Sequence, residues 1–172
     1  MLANHFQDTF RHMEWADATV WSSVLESPAA SSDLFIAKTL FHIHEVHHSF
    51  LNAWQEKPME RFKYESFDGL KAIHHWGLAF YAKLPAFLAG VTDEDMESPS
   101  VLPWAKYFAR TLGQEPAATS LRDTLHQVAS HTMHHRGQVL RRMRELEMDP
   151  PTIDYIVWAW QDRPAADHPS TT

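Results

Sequence analysis

Apolar residues recur along most of this chain at steps of three and four, the period of helices that bury one face. From about Asn4 to Glu26 such a stripe joins Phe6, Phe10, Met13, Ala16, Val20 and Val24, and Pro28 ends it. A second segment, from about Ser32 to Gln55, puts Ile36, Leu40, Ile43, Phe50, Leu51 and Trp54 on one side before Lys57-Pro58 closes it. A third opens near Ser66, a residue type suited to an N-cap, and carries Leu70, Ile73, Gly77, Phe80, Leu84 and Phe87 toward Gly90. Pro85 is expected to kink or shorten it. A fourth begins between Ala118 and Ser120 and runs through Leu121, Leu125, Val128, Thr132, Val139, Leu140, Met143 and Leu146 until Asp149-Pro150-Pro151. Ile153 to Trp160 reads as a short fifth helix.

Period-two alternation persists nowhere, and only five Gly are present, so the expected class is all-α. The economical architecture is an antiparallel four-helix bundle with long second and third connections and a short C-terminal helix. The stretch from Thr92 to Ala117 holds Pro99, Pro103 and Pro116 without helical period, and is expected to crawl over the bundle and cover one end. A chain of 172 residues suffices for one domain with a sizeable core, here residues 1–163, followed by a flexible tail over 164–172.

Composition narrows the function. The formal charge of −7 argues against a nucleic-acid partner, because binding phosphate backbones takes clustered Lys and Arg. The one basic run, Arg136, Arg141, Arg142 and Arg144, is interleaved with Glu145 and Glu147. It reads first as a solvated face that complements the helix C-terminal dipole. The sharper alternative is a docking site for a small acidic substrate. With no cysteine, disulfides, thiolate ligands and a protein thiol nucleophile are excluded, which fits a reducing interior. The N-terminal MLANHFQDTF lacks the apolar core of a signal peptide, and no run approaches the roughly 18 apolar residues of a membrane span. A cytoplasmic protein without a membrane partner is the expectation.

The candidate chemistry is imidazole. The chain carries 13 His, and HTMHHRGQV from His131 to Val139 packs three of them into five residues. Residues four apart on a helix point the same way, so His131 and His135 can aim at one ion from the edge of the apolar face, while His134 points away. Two ligands leave an ion under-coordinated, and a neighbouring helix must supply the third. FHIHEVHHSFL offers His42, His44, His47 and His48. Periodicity puts His47 nearest the middle of the apolar face, with His44 and His42 on opposite flanks, and does not choose among them. Accidental H-x-x-x-H spacings are common in so His-rich a chain, and His74-His75 shows a pair without evident purpose. Trp15, Trp76 and Trp104 read as core rather than substrate platforms. Gly137, costing about 1 kcal/mol in mid-helix, is expected to permit a close helix contact beside the pocket, with Arg136 and Gln138 bonding inside the bundle.

These residues form a recognisable pattern. The chain resembles the DinB/YfiT-like family of small metal-binding bundles, whose last long helix reads H-x-x-x-H-R-G-Q and then an apolar residue, here His131 to Val139. The family's L-x-H-I/L element of the second helix is matched by Leu40-Phe41-His42-Ile43, followed by His47 and then Phe50-Leu51. Glu14-Trp15-Ala16-Asp17-Ala18 looks like its W-A-n/d segment, and Pro151 with Asp154-Tyr155 agrees near the end. The resemblance runs from about residue 4 to 160.

It implies His42 as the third ligand, against the periodicity preference for His47. It further implies three histidines around an ion with open positions, zinc or nickel foremost and iron or manganese as further candidates. His44, His47 and Glu45 are candidates for orienting a ligand or acting as a base, alongside plain packing roles. Relatives so implied include thiol-dependent transferases, an isomerase that uses small bacterial thiols, and metal-dependent hydrolases. The implied function is thus a divalent-metal-dependent enzyme acting on a small molecule, with a low-molecular-weight thiol as the leading partner and a homodimer as the assembly. The rival is a damage-inducible metal-binding protein without turnover. A blander third reading is a helical module whose histidines pick up metal incidentally.

Overall fold

The computed structural model describes residues 2–170. Its helices are α1 (Leu2–Glu26), α2 (Pro28–Ser31), α3 (Leu34–Trp54), α4 (Gly69–Ala89), α5 (Ala109–Leu112), α6 (Leu121–Glu145) and α7 (Tyr155–Trp160). The long four, α1, α3, α4 and α6, make the all-α bundle that the four apolar stripes call for. Strand structure among the described residues is a two-residue pairing, Pro99–Ser100 antiparallel to Thr119–Ser120.

Their ends follow local chemistry. Asp33 caps α3 by accepting Ile36 N–H at 2.9 Å. Ser120 and Asp123 close a reciprocal capping box at the start of α6. The third helix begins later than the Ser66 expectation, because Ser66 belongs to a 3-10 turn over Tyr64–Ser66. Nor does Pro85 end α4. It sits on the exposed side one turn from the helix end, where losing one backbone hydrogen bond is tolerated.

Contacts fix the helix directions. Asp33 meets Arg142, His47 meets Thr132 and Trp54 meets Thr124, so α3 and α6 are antiparallel. Phe10 packs on Phe80 and Trp21 on His74, so α1 and α4 are antiparallel too. By contrast, His44 lies on Gly77 and Trp54 on Phe87, which makes α3 and α4 parallel. The parallel pair requires the chain to return along the bundle, and residues 55–68 do so, seating Phe62, Tyr64 and Phe67 around Phe41 and Trp76.

Two apolar clusters fill the interior. One centres on Val20, Trp21, Ile36, Leu40, Ile73 and Val139. The other centres on Phe6, Phe10, Phe50, Phe80, Leu125 and Val128. The connection from 90 to 120 covers the second, burying Met96 and setting the Trp104 ring 5.1 Å from Phe50, as its lack of period implied. The stretch after Arg163, expected to be a flexible tail, lies against the bundle. Trp158 Nε1–H donates to Pro164 O at 3.0 Å, and His168 packs on His74 and Tyr81, giving the tail polar and aromatic anchors that apolar periodicity does not reveal.

Candidate metal centre

The α3/α6 seam carries the site, and three contacts set its register. The Asp33 carboxylate, besides capping α3 through Oδ1, accepts Arg142 Nε–H and Nη2–H on Oδ2 at 3.0 and 2.8 Å, a clamp that fixes one end. Trp54 Nε1–H donates to Thr124 Oγ1 at 2.9 Å at the other end. Between them His47 Nε2 and Thr132 Oγ1 share a 2.7 Å hydrogen bond. With that register, His42 on α3 faces His131 and His135 on α6. The ring centroids stand 5.1, 4.8 and 4.3 Å apart for the pairs 42–131, 42–135 and 131–135, and each residue offers a nitrogen within 4.8 Å of the others.

The far side of two rings is tied down. His135 Nδ1–H donates to Gln138 Oε1 at 2.9 Å, and His42 Nδ1 lies 3.4 Å from Glu45 Oε2. An imidazole that donates through Nδ1 keeps the lone pair on Nε2, the tautomer a metal ligand needs. The Nε2 atoms of His131 and His135 face each other at 3.1 Å. Burial first, and then the neighbouring His135 and His42, push His131 down to about 4. His135 is lowered as well, by burial against the opposing bond to Gln138. Both rings are therefore neutral at pH 7, with lone pairs available.

The other histidines are placed elsewhere. His44 is turned toward α1 and α4, where its Nε2 accepts Trp21 Nε1–H at 2.9 Å. His47 is buried against Phe80 and Thr132. His48 donates to Trp76 O at 3.0 Å. Periodicity favoured His47 because it marks the centre of burial, and His47 is spent there on Thr132 and Phe80, whereas the cluster forms at the half-buried flank that His42 occupies. His134 is exposed and accepts from Gln138 Nε2 at 3.0 Å, outside the cluster.

Two sequence expectations about α6 change. Arg136 is not part of a solvated face: it is 3% exposed and donates through Nη1 to Asp17 Oδ1 at 2.8 Å and to Met13 O at 3.0 Å. Tyr81 donates its hydroxyl to the other oxygen of Asp17. Burial and the Asp17 carboxylate hold the Tyr81 phenol well above its ordinary range, so it remains the donor. This buried triad ties α1, α4 and α6 together one position from His135. Its signal was available in the stripe Met13, Ala16, Asp17, Val20, where a carboxylate occupies an apolar position. Gly137, expected at a close helix contact, has nothing within 4 Å of where a Cβ would stand. The close contact belongs to Gly77, over which the His44 ring lies flat.

The seam opens beside the cluster. A cleft of about 430 Å³ lined by Leu34, Phe35, Lys38, Thr39, His42, His135 and Gln138 continues, through Phe35 and Gln138, into one of about 490 Å³ that reaches Arg141, Arg142 and Glu145. Two of the three imidazoles, His42 and His135, line this open trough, which suits a small metal centre with room for a further ligand.

A helical bundle with converging histidines on two antiparallel helices defines a class, and comparison with known proteins names the family. The DinB family profile matches residues 2–167, and the chain belongs to the DinB family. An uncharacterized protein, YizA, from Bacillus subtilis (strain 168) is 26% identical over 122 residues, covering 70% of each chain. The crystal structure of a DinB-like protein from Bacillus cereus ATCC 10987 superposes with a TM-score of 0.51 at 16% identity, covering 88% of this chain and 93% of that one. This likeness shows the fold. Among the described residues no helix is long and apolar enough to cross a membrane.

Proposed function

We propose that the protein binds one divalent transition metal through His42, His131 and His135 and works as a metal-dependent enzyme on a small molecule. The observation that carries this reading is the convergence of three imidazoles, donor atoms within 4.8 Å, beside an open trough that two of them, His42 and His135, line. The donor set fits the group. Ligand nitrogens about 2.0–2.1 Å from zinc stand about 3.3 Å apart in a tetrahedron and about 2.9 Å apart at a right angle, and the 3.1 Å between the His131 and His135 Nε2 atoms falls between these values. Neutral imidazoles suit zinc, nickel, copper and iron alike, and the family resemblance favours zinc or nickel.

When bound, the ion would supply Lewis acidity, stabilising a cosubstrate thiolate or lowering the pKa of a water. The chain's own groups do the rest. Gln138 and Glu45 orient His135 and His42, and Asp33 with Arg142 holds the two helices in register. Leu34 and Phe35, exposed at 57% and 49%, give one side of the trough an apolar wall on which the hydrocarbon part of a ligand can pack. Glu45, the carboxylate at the cluster, is engaged by His42 Nδ1. The site suits both thiol transfer and hydrolysis: a thiol ionises readily beside a cation, and a water held there would approach a neutral pKa. Having no cysteine, the protein borrows its thiol from a cosubstrate.

The test is metal content by mass spectrometry of untagged protein, wild type against His42→Ala, His131→Ala and His135→Ala. One near-stoichiometric metal in the wild type and its loss from each folded variant supports the centre. Metal retained in all three variants, or a wild type that takes up none from a buffered zinc or nickel solution, overturns it. Turnover of thiol and electrophile pairs by the loaded wild type then separates an enzyme from a metal-binding stress protein.

A further inference from the structure

The trough beside the histidines is charged against the sign of the molecule. The chain carries a formal −7, yet the residues lining the trough include Lys38, whose ammonium also stands 5.7 Å from the Tyr64 ring centroid, Arg141 and Arg142. Glu145 in the lining, with Asp33 and Glu45 bordering it, supplies the counter-charges. The two guanidinium groups are not equivalent. Arg142 is spent on structure, clamped by Asp33 through Nε and Nη2 and by Glu145 through Nη1. Arg141 meets Glu145 through Nε alone, at 3.0 Å, and its side chain is 81% exposed. The pair with Glu145 steadies the group at the rim and leaves its terminal nitrogens as donors in the fork that recognises carboxylates.

Arg141 lies six residues beyond His135, about 9 Å along the helix axis at 1.5 Å per residue and about 120° round it, so it meets the trough at the far end from the histidines. Between these two points the wall is Phe35 and Leu34, apolar and exposed, and Lys38 stands across from α6 on α3. One end of the trough thus presents imidazole nitrogens, the middle an apolar wall, and the far end cations.

We propose that this trough takes an anionic cosubstrate: a small molecule that presents its reacting atom to the histidine cluster and anchors a carboxylate on Arg141 at the far end of the trough, with Lys38 adding to the positive field. This rests on the metal-dependent reading above and adds the substrate class. It also gives a use to part of the basic run in α6, which divides into a buried structural member, Arg136, a helix clamp, Arg142, a ligand-facing member, Arg141, and an exposed residue in the last turn, Arg144.

The experiment uses the full chain loaded with Co(II), whose absorption reports thiolate coordination, and a matched pair of probes, 6-mercaptohexanoate and 6-mercapto-1-hexanol. Both place their terminal group about 9 Å from sulfur and differ in charge. Wild type is expected to bind the carboxylate probe about ten-fold more tightly at low salt, with the preference shrinking as salt rises. In Arg141→Gln/Lys38→Gln the preference is expected to vanish while affinity for the alcohol stays within about two-fold. Both positions are exposed, so the variant is expected to melt as wild type does. Equal affinity of wild type for the two probes, or a preference that survives in the double variant, overturns the proposal. A cobalt spectrum that responds to neither thiol overturns the thiol reading instead. Titration with adipate against 1,6-hexanediol then decides the anion site by itself: preference for adipate that Arg141→Gln/Lys38→Gln abolishes supports it, and no preference refutes it.

Discussion

Gly77→Ala offers a sharp test of the interior, because two physical effects predict opposite signs. In a helix interior Ala is favoured over Gly by about 1 kcal/mol, so on propensity alone the variant gains stability. The structure says otherwise. A Cβ at position 77 would stand 2.5 Å from His44 Cε1 and 2.6 Å from Cδ2 and Cγ, so the imidazole must move. It has little freedom, being 2% exposed and held by Trp21 Nε1–H at 2.9 Å. Displacing it breaks that bond and strands a buried donor and acceptor, at about 1–3 kcal/mol each, with overpacking costing about 1–3 more. Net of the propensity gain of about 1 kcal/mol, the variant is expected to lose about 2–8 kcal/mol, the lower end if the ring can shift while keeping part of its bond. For a chain of this size even the lower end lowers Tm by roughly 4–8 °C. Thermal and urea melts followed by circular dichroism measure it. The His44→Ala background isolates the cause: there the clash is gone, and Gly77→Ala becomes neutral or stabilising. A Gly77→Ala single variant as stable as wild type would refute the packing argument.

Gly137→Ala tests the converse, since nothing stands within 4 Å of its Cβ position, and it is expected to raise stability by about 0.5–1 kcal/mol in the same melts. Asp17→Asn leaves the buried Arg136 without its counter-charge and is expected to cost about 3–5 kcal/mol by urea unfolding; a loss under about 1 kcal/mol would show that the pair is not buried as described. Burial, followed by the neighbouring His168, pushes His74 down to about 4 from 6.5. Its folded value is depressed, so the unfolded chain binds the proton more readily. Stability is therefore full above pH 6.5 and falls as pH drops from 6.5 toward 4, by about 2 kcal/mol at pH 5 from this group. His74→Gln is expected to flatten that part of the pH profile by the same amount, and a profile of unchanged slope would exclude His74 as the source.

The helices themselves were legible in the sequence, because their apolar period is a local property and their ends are marked by local chemistry: Asp33, Ser120 with Asp123, and the prolines after Glu26 and Met148. So was the His131/His135 pair, since a four-residue step puts two side chains on one helix face whatever surrounds it. The stripe also held the Asp17 signal, a charge at an apolar position, though not its partners. What lay beyond reach was the relation between helices. His42, His44, His47 and His48 all flank one apolar stripe, and only the seam with α6, pinned by Asp33 to Arg142 and by Trp54 to Thr124, brings His42 to the cluster and turns His44 and His47 inward. Likewise a glycine in a helix signals room for something without saying whether it is used. Position 77 is pressed by a ring from α3 and position 137 by nothing, a difference that resides in the neighbouring helix and not in either glycine's own segment. Periodicity specifies which residues share a face; the tertiary structure alone decides what that face meets, because the meeting depends on packing between segments far apart in the chain.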